Sequence, residues 1–197
     1  MIRKGFAWGT VATLIAVLGY WGMSSGARDD CGTRDGIPAE KVADYVHAVL
    51  QADRTFYTTN VVERMQAKGV VAASENWQST NMLPLPAQFL QESNRLVGST
   101  RIGIGYRLIS VWPINKRNGP KTAFEHTGLQ ETLQQPNRPY TEVVMNGPDA
   151  YLQAVYADKA VSQACIGCHN AHPDSPKRNF KQNDVMGGMI ITIPLNQ

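Results

Sequence analysis

The sequence is poor in charge, in cysteine and in repetition. Only 18% of its 197 residues are charged and only three are cysteine. With 43% hydrophobic residues, that composition excludes a disordered acidic tail and a coiled coil. Apolar residues form one long run, at the N-terminus, which excludes a polytopic membrane protein. Three cysteines are too few for a disulfide scaffold. No internal repeat or low-complexity tract is present, and the length suits one ordinary domain rather than a sensor joined to a kinase. The net charge is +3, and part of it sits in Arg3 and Lys4, so there is no electrostatic footprint for nucleic acid. Also missing are G-x-S-x-G, H-E-x-x-H, a phosphate-cradling glycine loop and a paired-carboxylate signature. Hydrolytic and phosphoryl chemistry therefore have no support, and no enzymatic activity is expected.

The N-terminus reads as an address. Arg3 and Lys4 precede a mostly apolar stretch from Phe6 to Met23, and the next charged residue is Arg28. That stretch is about 18 residues, at the lower edge of the roughly 20 that cross a bilayer. Ser25-Gly26-Ala27 presents the small residues that a signal peptidase reads. Residues 1–27 are thus a signal peptide or an N-terminal membrane anchor, 28–37 a tether, and 38–197 the folded domain. The domain is expected in the periplasm or otherwise outside the cytoplasm, with membrane association possible through residues 6–23. Cys31 follows Arg28-Asp29-Asp30, which lacks the small-residue context of a lipidated cysteine, so it reads as a free or intermolecularly paired thiol.

Periodicity organises the rest. Pro38 opens a long helix that runs to about Gln66 and stops at Lys68-Gly69. Val42, Val46, Val49 and Phe56 form one stripe of it; Ala43, His47, Leu50, Arg54, Tyr57 and Val61 form the next. Residues 69–83 show no clear period. Pro86 to Val97 is a short helix. From Arg101 the period becomes two, with Ile102, Ile104, Tyr106, Leu108 and Trp112 on one face of a strand. Thr122 to Gln134 is helical, Tyr140 to Met145 a strand, Asp149 to Ala164 a helix that delivers the cysteines, and Val185 to Ile193 a last strand. Gly187-Gly188 in that strand allows a bulge or a close approach to something flat. The class is α+β, with an antiparallel sheet behind a long N-terminal helix.

The chemistry concentrates in Cys165-Ile166-Gly167-Cys168-His169. Two thiols three positions apart can add to the two vinyl groups of one haem, and the adjacent imidazole is then placed to bind iron from one face. Composition alone would produce this pattern about once in a thousand such chains, and the export signal supports it independently. The cofactor expected is one covalently attached haem c. Three other readings compete: a thioredoxin-like redox pair, a structural zinc site and a simple disulfide. The first is disfavoured by a helix ahead of the motif and the second by a shortage of further ligands. For the second axial position, His47 shares a helix face with Arg54 and Tyr57, so one helix offers iron an imidazole and a haem propionate an arginine. His172, His126, Met82, Met145, Met186, Met189, Cys31 and an open site are the alternatives. Arg107, Lys116, Arg117, Lys177, Arg178 and Lys181 are further candidate propionate partners.

The run Cys165-Ile166-Gly167-Cys168-His169-Asn170-Ala171-His172-Pro173-Asp174-Ser175-Pro176-Lys177, then Phe180-Lys181 and Asp184-Val185-Met186-Gly187-Gly188, resembles a family of small exported single-haem c-type proteins. The same family includes sensory domains of some bacterial histidine kinases. The stretch Leu108 to Asn118 followed by Phe124-Glu125 is similar to the family's strand-turn-helix. This resemblance covers roughly residues 38–197 and implies a PAS-like domain, thioethers at Cys165 and Cys168, and His169 as proximal ligand. The distal ligand it implies varies, being cysteine in some members. This chain has no cysteine between Gly32 and Ala164, which favours His47. The chain also lacks a kinase or methyl-accepting output region. The leading expectation is therefore an exported monohaem c-type cytochrome for one-electron transfer or redox sensing, working with a redox or signalling partner protein. The alternative is a sensor of NO, CO or O₂ acting through a partner. A haem peroxidase would need a distal acid–base group, and none is convincing.

Overall fold

The computed structural model describes residues 36–195. The signal or anchor over 1–27, the tether up to residue 35 and Cys31 lie outside the described residues. Among the described residues no helix is long and apolar enough to cross a membrane.

The expected long helix is there, in three parts. It begins as α1 (Ala39–Phe56), widens into a π-helix (Tyr57–Glu63) and closes as α2 (Arg64–Ala67). The π-segment has a local cause. Thr58 and Thr59 donate their hydroxyls to the carbonyls of Arg54 and Thr55, at 2.7 and 3.0 Å, and such back-bonding loosens the regular ladder. Of the two stripes on α1, the one with Ala43, Leu50 and Arg54 is buried. The other is only partly covered: Val42 and Val46 pack against the core, whereas Val49 and Phe56 are exposed.

The stretch without period contains β1 (Ala73–Ser74), α3 (Trp77–Thr80) and β2 (Leu83–Pro84), all too short for periodicity to register. Next come α4 (Pro86–Ser99), β3 (Gly105–Ile109), a 3₁₀ turn (Lys116–Asn118) and α5 (Ala123–Gln134). The strand is shorter than its alternation suggests: Ile102 is exposed before it and Trp112 lies beyond it. Thr122 caps α5 by accepting the Glu125 N–H at 3.2 Å.

The largest departure follows β4 (Tyr140–Asn146). Residues expected as a helix over 149–164 form β5 (Asp149–Lys159), paired antiparallel with β4. Gly147, at φ +63°, followed by Pro148 with its fixed negative φ, makes a two-residue hairpin loop of the II′ kind. Only then comes α6 (Gln163–Ala171), followed by β6 (Val185–Pro194). The sheet order is β3-β6-β5-β4 and every pairing in it is antiparallel. The molecule is α+β, as expected.

Helices cover both faces of this sheet. On one face Ala43 and Leu50 of α1 and Leu90 of α4 meet Tyr106, Leu152, Ala154, Tyr156, Met189, Ile191 and Ile193. Each large apolar side chain so buried contributes about 1.5–3 kcal/mol. On the other face Phe124 and Leu129 of α5 meet Ile109, Val155 and Ile190. The expected bulge is present where Asp158 pairs with Gly187 and Lys159 with Val185, leaving Met186 as the extra residue. The close approach is made by the molecule itself. A Cβ on Gly188 would lie 2.7 Å from Val155 Cγ1, and one on Gly187 would collide with the Ile109 carbonyl.

Candidate haem-attachment site

The motif sits on α6, and two acceptors hold the start of that helix. Ser162 Oγ takes the Cys165 N–H at 3.3 Å, and Glu63 Oε1 takes the Ala164 N–H at 3.1 Å. A carboxylate there also suits the positive end of the helix. Glu63 comes from the π-segment, so the long helical rod abuts the motif directly. Nothing local in the sequence signals this contact.

Cys165 and Cys168 stand one turn apart as free thiols. Cys165 packs half-buried beside Ala160, Phe180, Met186, Trp112 and Ile166. Cys168 reaches the surface, yet desolvation of its sulfur pushes its pKa up, with Glu75 and Cys165 adding to the effect. His169 meets the Phe180 ring edge-on at 5.9 Å. Phe180 is fixed in turn by Asn170, which donates to its carbonyl at 3.0 Å and accepts its N–H at 2.9 Å. Lys177 lies 4.1 Å over Trp112 and 4.6 Å over Phe180, which closes this wall by cation–π contact.

α1 and β5 build the facing part. His47 stacks flat on Tyr156, with centroids 4.0 Å apart, and the Tyr156 hydroxyl donates to Asp44 at 2.9 Å. Two residues along the same face of β5, Asp158 receives a fork from Arg54: Nη1 to Oδ2 at 3.1 Å and a shorter Nη2 to Oδ1 contact. Burial lowers the pKa of both His47 and His169, and Asp158 is the strongest charge opposing that shift at each. Both imidazoles are therefore neutral at pH 7, with a lone pair to offer.

The structure thus joins Arg54 to Asp158, two positions along β5 from the Tyr156 ring that His47 stacks on, a carboxylate that sequence reasoning missed. Tyr57 is otherwise engaged: its hydroxyl donates to the Pro84 carbonyl at 2.8 Å and its ring stacks on Phe89 at 4.6 Å. His172 has both nitrogens occupied, Nδ1 by the Asp174 N–H at 3.1 Å and Nε2 by Glu75 at 3.3 Å. His126 is exposed on α5, across the sheet from α1. Met82 and Met145 are exposed, whereas Met186 and Met189 are core residues. Among the other basic candidates Arg107 pairs with Glu125 at 2.5 Å, on the α5 side of the sheet.

Two of the competing readings change. No group of three or more metal-ligating side chains exists among the described residues, so zinc loses support there. The redox-dithiol reading loses its stated obstacle, because a strand and not a helix precedes the motif and Cys165 lies in the first turn of α6. His169, directly after Cys168, is what still separates the site from a dithiol.

No curated protein matches the chain in sequence. The crystal structure of the cyanobacterial haem protein Tll0287 is similar at 16% identity and a TM-score of 0.47, covering 80% of this chain and 97% of that one. The Tll0287-like family model matches residues 37–194, from just before α1 to the end of β6. With the folded domain and the motif helix both inside that match, the chain belongs to the Tll0287-like family.

Proposed function

We propose that this chain is an exported, non-enzymatic, PAS-like protein carrying one haem c, and that it transfers or senses single electrons. One observation carries the reading: a single capped helix presents two free thiols one turn apart, with a neutral, half-buried imidazole on the next residue. Tll0287 is described as a haem protein, which agrees with it.

The surrounding residues fit a haem. Cys165 and Cys168 supply the two sulfurs, each S–H adding across one vinyl group with nothing lost. His169 supplies the proximal nitrogen, and Phe180, Trp112 and Met186 form a dry wall beside Cys165. Arg54 is buried, and its Nε is the one buried side-chain nitrogen or oxygen among the described residues with no hydrogen-bond partner. That N–H suits a propionate oxygen, since a buried donor left unpaired is destabilising. His47 is the distal ligand in this proposal, and Tyr57 steadies the helix that carries it. With His47 and His169 to hold its iron, a haem there would supply one-electron Fe(III)/Fe(II) chemistry. A redox or signalling partner would receive the electron outside the cytoplasm.

Intact mass and a pyridine haemochrome spectrum test this directly. The protein, made in a host equipped for cytochrome maturation, should weigh one haem more than its polypeptide and should keep its colour through acid-acetone extraction. Full extraction of the haem, or no added mass, rejects covalent attachment.

One observation favours gas sensing as a second reading. Among the described residues, nothing hydrogen-bonds to the His47 ring; it is held by stacking on Tyr156, and such a ligand is displaced easily. CO added to the reduced protein should leave an electron carrier's Soret band in place, whereas a shifted band selects the sensor.

A further inference from the structure

The Arg54–Asp158 pair joins α1 to β5 with side chains only 8% and 13% exposed. Buried ion pairs of this kind are weak sources of stability, which raises the question of what the pair does. Its place suggests an answer. Asp158 lies at the sheet irregularity opposite Gly187 and Met186, and bulges re-aim side chains beside functional sites. Its fork engages Nη1 and Nη2 of Arg54, with Gln51 also on Nη2 at 3.4 Å, so that Nε is the one guanidinium nitrogen without a partner. Arg54 follows His47 by two turns of α1, and Asp158 follows by two positions on β5 the Tyr156 ring on which His47 stacks, so the pair borders that imidazole.

We propose that Asp158 is a positioning residue of the iron site. It fixes Arg54 so that Nε–H is kept for a propionate, and its charge cancels that of Arg54, so the pair presents no net charge to the iron. This inference rests on the haem reading above. Without Asp158 the lone guanidinium opposes a further positive charge on the metal, which favours Fe(II) and raises the reduction potential. Without Arg54 the lone carboxylate does the reverse. The coupling is through charge in a buried setting, where salt screens little.

Spectroelectrochemical titration of the covalently loaded protein tests the idea, with intact mass establishing haem occupancy for every variant. Asp158→Asn should shift the potential up, Arg54→Gln should shift it down, and the double variant should return close to wild type. Asp158→Glu should also stay near wild type. A purely structural role would not give shifts of opposite sign that cancel. Should Asp158→Asn fail to fold, the double variant, Asp158→Glu and Arg54→Gln still decide. Shifts of the same sign, or an unmoved potential in Arg54→Gln, overturn the proposal while leaving the haem reading intact. A wild-type protein without added haem mass rejects that reading instead.

Discussion

His47 stacks on Tyr156 and His169 meets Phe180, and the sequence singles out the two histidines by different signals. Cys165, Cys168 and His169 are identified by adjacency, because thioether attachment and proximal ligation need residues that are close along the chain. His47 and Arg54 stand seven positions apart on α1 and so share a face, since helical period carries that information. It does not carry their partners. Arg54 reaches across 104 positions to Asp158, and Glu63 across 101 to Ala164, and no local pattern reports such pairs. Tyr57 shares the stripe with Arg54, yet the wider turn of the π-segment begins at Tyr57, and that residue ends up on Phe89 and Pro84. At this scale the test of His47 is substitution. His47→Ala should abolish the low-spin ferric spectrum and let CO bind the reduced protein; an unchanged spectrum and CO response would show that another group holds the sixth position.

β5 reads as a helix in the sequence because it is a central strand with helices over both faces. Leu152, Ala154 and Tyr156 face α1, and Val155 faces α5, so both parities carry apolar residues and the alternation that marks a half-exposed strand is lost. Leu152, Val155 and Tyr156 then imitate helical spacing, and alanine adds helix propensity. Gly147-Pro148 held the contrary signal, a tight hairpin loop. The elements with one wet side, the rod from α1 to α2, α4 and α5, end within two residues of where their periodicity predicts. Two predictions belong to the elements. Gly187→Ala sets a methyl against the Ile109 carbonyl and should destabilise the protein by about 1–3 kcal/mol in urea unfolding. Ser162→Ala removes the cap of α6 and should cost about 1 kcal/mol; if stability is unchanged, Glu63 alone suffices at that end.

Taken as a whole, the molecule is a four-stranded sheet with helices on both sides, and its stability should fail at high pH for a definable reason. Burial raises the pKa of Tyr57, Tyr106 and Tyr156, and Asp44 adds to the effect at Tyr156. In the unfolded chain these phenols ionise near pH 10. The folded state keeps protons that the unfolded state loses, so the tyrosine contribution to stability is level below about pH 10 and is lost above it. Urea midpoints measured from about pH 8 to 11 should show that decline, and Tyr156→Phe should make it shallower; a midpoint that stays level across the range contradicts it. The sheet also frames the cysteine segment in a particular way. Residues 160–184 leave at the end of β5 and return at the start of β6, and Ala160 bonds to Asp184 and Asn183 across that base at 2.9 and 3.1 Å. Because both ends meet at neighbouring, paired strands, the segment hangs from the sheet at a single base, while Glu63 and Trp112 clasp it from outside; moved to another antiparallel hairpin, it would leave those clasps behind.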